Sequence, residues 1–388
     1  MDGTRNSTAT SLQVLADRDA EWAARMRMIE EAQRFLILTT YYFGSDERSG
    51  AMLDTLVAAQ RRGVRAVLVL DRFGQRLARN LGHSSGHRML RARLDGFRAA
   101  GGLLVACAPR SLRHRWVGGG MHVKIQVSEA GRAIFGSSNI AHHSFCRWNE
   151  VSLEIEGAIV ADLLQEACRF AGLSVQDCAA LAAQLPTVSS AEAIPLRYVR
   201  EDPEERSGAL FPFGAVDNRL TAELVMLIDR AQRSLRVTAF YCKPAPMLKA
   251  ALLRACRRGV DVEIFHSHRD SLEVSQLPWI SASAQYASLL KAGARIYENL
   301  AGEHSKIILV DDREVAVGSY NFEHAAHDRL VEAMIFSDDA TLCASFDALF
   351  ESLRRSPDNL LLPADWHGEL PLALQLKRWL YRPLQRWI

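Results

Sequence analysis

Met121-His122-Val123-Lys124-Ile125-Gln126-Val127-Ser128-Glu129, followed by Gly136-Ser137-Ser138-Asn139 and by Asn149-Glu150, opens the reading. A second set repeats it: Glu303-His304-Ser305-Lys306-Ile307-Ile308-Leu309-Val310-Asp311, then Gly318-Ser319-Tyr320-Asn321, then Val331-Glu332. From His to Asn is 17 residues in both sets, and from Asn to Glu is 11 in both. One polar spacing kept twice in one chain points to an internal duplication.

The repeat extends outward from the histidines. Ala32-Gln33-Arg34 with the apolar run after it recurs as Ala231-Gln232-Arg233, an offset of 199, and Arg61-Arg62-Gly63-Val64 recurs as Arg257-Arg258-Gly259-Val260, an offset of 196. At the His motifs the offset is 182, so the first copy's extra residues fall mainly between Leu70 and His122. In each half an amphipathic helical stretch (Glu21 to Arg34, Leu220 to Arg233) leads into a strand, and strands then alternate with helices. That alternation predicts an α/β fold, each half a mixed sheet flanked by helices. The expected divisions are a polar segment 1–17, a first half 18–189, a charged Pro/Gly linker 190–214, a second half 215–356 and a tail 357–388.

Composition bounds the function. The 388 residues are 48% hydrophobic, ample for a folded core, and Lys+Arg 47 against Asp+Glu 45 lacks the excess that non-specific nucleic-acid binders carry. Nucleic acid is therefore not an expected partner. Seven scattered cysteines without a CxxC pair or a zinc-like spacing read as reduced thiols. The chain start lacks the pattern of a signal peptide, and Phe35 to Phe43 is too short to cross a bilayer, so a cytoplasmic protein is expected.

On a strand, His at i and Lys at i+2 share a face. Imidazole attacks phosphorus or delivers a proton, and an ammonium meets the non-bridging oxygens. Asn139, Asn321, Ser137 and Ser319 add hydrogen-bond donors for the charge of a transition state. Two copies supply two histidines, one to attack and one to protonate the leaving group.

These residues resemble the His-x-Lys-x4-Asp and Gly-Ser/Gly-x-Asn motifs of the phospholipase D superfamily. The second copy, with Asp311, matches in full; the first carries Glu129 where the family has Asp. The resemblance implies two homologous halves packed about a pseudo-two-fold axis, one active site built from both motifs, and no metal or cofactor. It implies His122 as nucleophile and His304 as general acid, with Lys124, Lys306, Asn139 and Asn321 in the site. Glu150 and Glu332 are implied to orient the histidines, and Asp311 and Glu129 to support the motif.

The layout looks most like bacterial cardiolipin synthases: an aromatic pair after the first strand of each half (Tyr41-Tyr42, Phe240-Tyr241), Arg-Arg-Gly-Val, and Leu153 to Gly157. Tyr42 and Tyr241 are taken as substrate-binding. The serine form of Gly136-Ser137-Ser138-Asn139 departs from the Gly-Gly-x-Asn common there. The expected function is a phosphatidyltransferase acting on phospholipid through a phosphohistidine, with a phospholipase D hydrolase or a nuclease of the same superfamily as alternatives.

In the tail, Leu372, Leu376, Trp379, Leu380, Leu384 and Trp387 make one helical stripe, Lys377, Arg378, Arg382 and Arg386 lie mostly outside it, and no acid occurs from Leu370 to Ile388. This reads as a peripheral contact with an anionic membrane, the alternative being a helix packed on the body, and Pro383 would kink it. His142-His143 and the run Arg110, Arg113, His114, Arg115 read equally as loop faces or as substrate contacts, with a slight preference for solvated arginines.

Overall fold

The computed structural model describes residues 3–79, 84–188, 193–205, 217–272, 275–366 and 371–381. The chain forms two compact units, Met1–Tyr198 and Val199–Ile388. In the first, strands are hydrogen-bonded in the order Ser11–Leu15, Ser152–Glu156, Arg132–Gly136, Lys124–Ser128, Phe35–Thr40, Arg65–Asp71, Leu103–Cys107. In the second the order is Leu330–Ser337, Glu314–Gly318, Ile307–Val310, Ser234–Ala239, Asp261–Ser267, Arg295–Asn299, Asn359–Leu361. In each unit three strands run parallel and the histidine strand lies antiparallel to the first of them. The duplicated sequence thus gives one mixed α/β architecture twice.

Phe35–Thr40 is buried at all six positions because both of its faces are covered. Leu36 and Leu38 join Met28, Leu53, Leu56 and Phe97 in a cluster with helices Arg18–Glu31, Glu47–Arg61 and Ser84–Ala99. Helix Ile159–Ala171 packs on the same strand. In the second unit Leu235, Val237, Leu224, Leu252 and Tyr286 belong to the corresponding core.

Local chemistry explains the repeated signatures. Asp17 and Asn218 accept from the N–H groups of Ala20 and Thr221, 2.7 Å each, and so start the first helix of each unit. The Arg-Arg-Gly-Val copies end the next helix: Gly63 and Gly259 take φ of +95° and +83°, a region open to glycine. The second arginine of each copy then reaches back to the carbonyls ending the first helix, Arg62 to Ile29 O and Glu30 O, Arg258 to Ile228 O and Ala231 O.

Three segments differ from the divisions expected. Ser11–Leu15, within the segment read as a polar terminus, is an edge strand whose Val14 pairs with Leu153. Ile194–Glu201 is a strand inside the stretch read as a linker, and the unit boundary falls within it; 189–192 and 206–216 lie outside the described residues. Asn359–Leu361 pairs with Arg295–Asn299, so the second unit's sheet runs past residue 356.

The tail helix Leu372–Tyr381 packs on helix Leu277–Lys291. Arg378 is its buried residue: the guanidinium donates to Ser283 O and lies 5.4 Å from the Trp366 ring. Leu374 and Tyr381 pack on the core beside it, while Leu372, Leu376, Trp379 and Leu380 remain 59–82% exposed. The alternative of a helix packed on the body thus describes one face of this segment, and the opposite face is exposed. Arg382, Leu384, Arg386 and Trp387 lie outside the described residues.

Candidate active site

Each unit carries its own histidine constellation. His122 and His304, each 4% exposed, do not lie on the strands expected of them: His122 comes two residues before strand Lys124–Ser128, and His304 and Lys306 both precede Ile307–Val310. Lys124 donates to His122 O at 2.6 Å, and Lys306 donates to His304 O. Here the ladder gives way to a side chain. Thr39 Oγ1 accepts from Ile125 N (2.9 Å) and donates to Val123 O (3.2 Å); Thr238 Oγ1 accepts from Ile307 N (3.0 Å) and meets Ser305 Oγ (2.8 Å).

The residue before each histidine is pinned by the end of the neighbouring parallel strand. Asp71 Oδ2 accepts from Met121 N at 2.8 Å, and Ser267 Oγ accepts from Glu303 N at 3.0 Å. Burial pushes the Asp71 carboxyl up to about 7, against backbone donors from Gly74, Met121 and Phe73 and the charge of Lys124.

Ser137 and Ser319, expected to face substrate, donate instead to the Glu150 and Glu332 carboxylates. Each hydroxyl also accepts a backbone N–H, from Val151 and Ala333 at 3.0 Å. A hydroxyl has a single proton to give, so these serines tie the Gly-Ser turn to the carboxylate. The turn needs glycine because a Cβ on Gly136 or Gly318 would lie 2.4 or 2.3 Å from Val151 O or Ala333 O. Asn139 and Asn321, 1% and 4% exposed, follow these turns.

Glu129 and Asp311 lie at the far end of the histidine strand, away from the imidazoles. Glu129 accepts from Gln33 N and Phe35 N; Asp311 accepts from Gln232 N, Arg233 N and Ser234 N. Burial opposes the Asp311 charge, but the donors Ser234, Arg233 and Gln232 and the Arg233 charge hold its carboxyl below the ordinary range. Both carboxylates secure the turn between helix and strand, so exchanging Asp for Glu leaves the histidine end untouched.

The aromatic beside each histidine is the first of its pair. Tyr41 lies edge-on to His122 with centroids 4.7 Å apart, and Phe240 lies edge-on to His304 at 4.6 Å. Tyr42 turns its hydroxyl to His143, whose ring is 4.0 Å from Trp148, and burial raises the Tyr241 phenol far above its ordinary value. His142 is exposed; Arg113 and Arg115 are exposed on the short helix Leu112–Trp116.

The first unit holds one further network, which motif reading overlooked. Glu21, fully buried, accepts from Arg18 (2.6 Å), Ser138 (2.8 Å) and Ser152 (2.7 Å), and pairs with buried Arg25 at 2.8 Å. Burial works against its charge, but Arg25, Arg18 and these hydrogen bonds hold the carboxyl below the ordinary range. Glu21 thereby ties the first helix to the Gly-Ser-Ser-Asn turn. In the second unit Thr221 meets the Tyr320 hydroxyl at 2.7 Å, linking the same helix to the same turn. Matching offsets in the repeat, 199 for Thr39 and Thr238 and 196 for Asp71 and Ser267, were the available signal.

Residues 26–169 and 224–354 match the protein family described as cardiolipin synthase, PLD-like domain, once in each unit. The chain belongs to this family. Among curated relatives of this phospholipase D-like protein, cardiolipin synthase B of Salmonella typhimurium is 25% identical over 346 residues, covering 85% of this chain and 77% of the relative. Cardiolipin synthase A of Pseudomonas syringae is 26% identical over 363 residues, covering 90% and 68%. A solved structure of phosphatidylserine synthase from Haemophilus influenzae superposes with a TM-score of 0.71 over 99% of this chain and 97% of that one. At 16% identity that likeness establishes the fold.

Proposed function

We propose that this phospholipase D-like protein is a phosphatidyltransferase acting on phospholipids. The observation that carries the reading is the buried His-Lys-Asn-Glu constellation present whole in each unit of a chain from the cardiolipin synthase family.

In the proposed reaction a His122 nitrogen attacks the phosphodiester phosphorus, the bond to the headgroup oxygen breaks, and His304 gives that oxygen its proton. An acceptor alcohol then attacks the phosphohistidine, the P–N bond breaks, and His304 takes the alcohol's proton. The two lysines and Asn139 stabilise the charge on the non-bridging oxygens. Assigning attack to His122 follows the family resemblance. Glu150 and Glu332, held by Ser137 and Ser319, are proposed to orient the imidazoles.

Among the described residues no helix is long and apolar enough to cross a membrane. A peripheral attachment is proposed for the tail helix, whose exposed Leu372, Leu376, Trp379 and Leu380 suit the interface of an anionic bilayer.

The test incubates the purified protein with phosphatidylglycerol vesicles and, separately, with single-stranded DNA. Cardiolipin with free glycerol supports the transferase; phosphatidic acid as the sole lipid product replaces it with a hydrolase. Cleaved DNA without lipid turnover overturns the lipid reading. His122→Ala and His304→Ala are each expected to abolish turnover, and full activity in either removes the two-histidine mechanism.

A further inference from the structure

The two motif asparagines have different surroundings. Two residues after Asn321 comes Glu323, and Asn321 Nδ2 donates to Glu323 Oε1 at 3.2 Å. Glu323 Oε2 lies 3.8 Å from the ammonium of Lys243, which is 1% exposed. Lys243 is itself anchored to this loop, its N–H donating to Phe322 O at 3.0 Å. The corresponding positions of the first unit are Gly44 and Ala141, so Asn139 has no such ion pair beside it.

This pair decides which end of the Asn321 amide is offered to a ligand. A carboxylate only accepts hydrogen bonds, so the amide NH2 must face Glu323. That leaves Asn321 Oδ1, buried and without a hydrogen-bond partner among the described residues. A buried carbonyl in this state goes uncompensated for its lost hydration until a donor reaches it. A phosphodiester carries no proton and cannot be that donor. The hydroxyl of an alcohol can.

We propose that Asn321 Oδ1, oriented by the Lys243–Glu323 pair, accepts a hydrogen bond from a hydroxyl of the polyhydroxy alcohol that leaves or attacks the phosphorus. The proposal rests on the transferase reading and deepens it. Lys243 and Glu323 act through Asn321 as positioning residues, and the second unit becomes the alcohol-recognising one. Glu323→Gln retains the shape but can donate as well as accept, so the amide is no longer held in one orientation.

Glycerol serves as the probe, in two measurements on the full chain. Its binding to the resting protein is followed by saturation-transfer NMR, and E323Q is expected to weaken it about fivefold, the loss of one neutral hydrogen bond. In turnover of a short-chain phosphatidylcholine with glycerol as acceptor, E323Q is expected to raise the glycerol KM by a similar factor and lower the ratio of transfer to hydrolysis. Lys243→Met is expected to act in the same direction, and E323D to recover part of the wild-type ratio. Unchanged glycerol binding in both E323Q and K243M, with thermal unfolding like the wild type, overturns the proposal. So does an unchanged ratio of transfer to hydrolysis. The binding measurement needs no catalysis, so a wild type that turns over no lipid overturns the transferase reading separately.

Discussion

Asp71 Oδ2 receives the backbone N–H of Met121 at 2.8 Å while Asp71 Oδ1 receives that of Gly74 at 2.7 Å, so one buried carboxyl joins the end of a parallel strand to the residue before His122. In Asp71→Asn one of these N–H groups meets an NH2 group instead of an acceptor. Loss of a buried hydrogen bond of this kind is expected to cost about 1–3 kcal/mol of stability. Because His122 is displaced rather than removed, kcat on a soluble diester is expected to fall about tenfold or more, with a smaller change in KM. Wild-type kcat in D71N would sink the positioning role.

Glu21 and Arg25 occupy positions filled by Leu220 and Leu224 in the second unit, at the same offset of 199. Removing one partner of a buried pair strands the other charge, so Glu21→Leu alone is expected to cost about 3–5 kcal/mol in urea unfolding. The double variant E21L/R25L is expected to cost less than the sum of the two single changes. Strict additivity would show that the pair is not coupled.

Glu298 lies buried between His266 and His268, whose nitrogens are 3.9 and 3.8 Å from its oxygens, and accepts from Trp279 Nε1 at 2.6 Å. Burial raises its carboxyl from 4.5 to about 7, against the hydrogen bonds from Trp279 and Tyr286. A folded value above the unfolded one means the folded protein holds more protons between about 4.5 and 7. Stability from this group is therefore fullest at the acid end and declines as pH rises to 7, by up to about 3 kcal/mol. Urea unfolding at pH 5, 6, 7 and 8 is expected to show the wild type losing stability relative to E298Q as pH increases. A constant difference contradicts the shift.

The tail helix has one face on the protein and one exposed, and the proposed contact with lipid concerns the exposed face. Leu376→Ser with Trp379→Ser is expected to reduce co-sedimentation with phosphatidylglycerol vesicles severalfold while thermal unfolding stays within about 1 °C of the wild type, since both side chains are exposed. Arg378→Met is expected to lower the unfolding temperature, because that side chain holds Ser283 and Trp366. Equal vesicle binding by the double serine variant would remove the tail from the membrane reading.

The two units, their mixed sheets and the membership of His122, Lys124, Asn139, His304, Lys306 and Asn321 in one repeated pattern were legible in the sequence, because duplication leaves its record in spacing. Helix caps and the Arg-Arg-Gly-Val turn were legible too, since their chemistry is local. The division of labour among neighbours was not. Tyr41 and Tyr42, or Ser137 and Ser138, differ by one position, and only strand pairing and turn geometry send Tyr41 to His122 and Tyr42 to His143, or Ser137 to Glu150 and Ser138 to Glu21. Asp71 and Met121 are 50 residues apart, and Lys243 and Glu323 are 80 apart. The membership of each motif was thus written in residue type and spacing. The direction of its hydrogen bonds came from tertiary packing, because an acceptor is assigned only when a distant element brings it a donor.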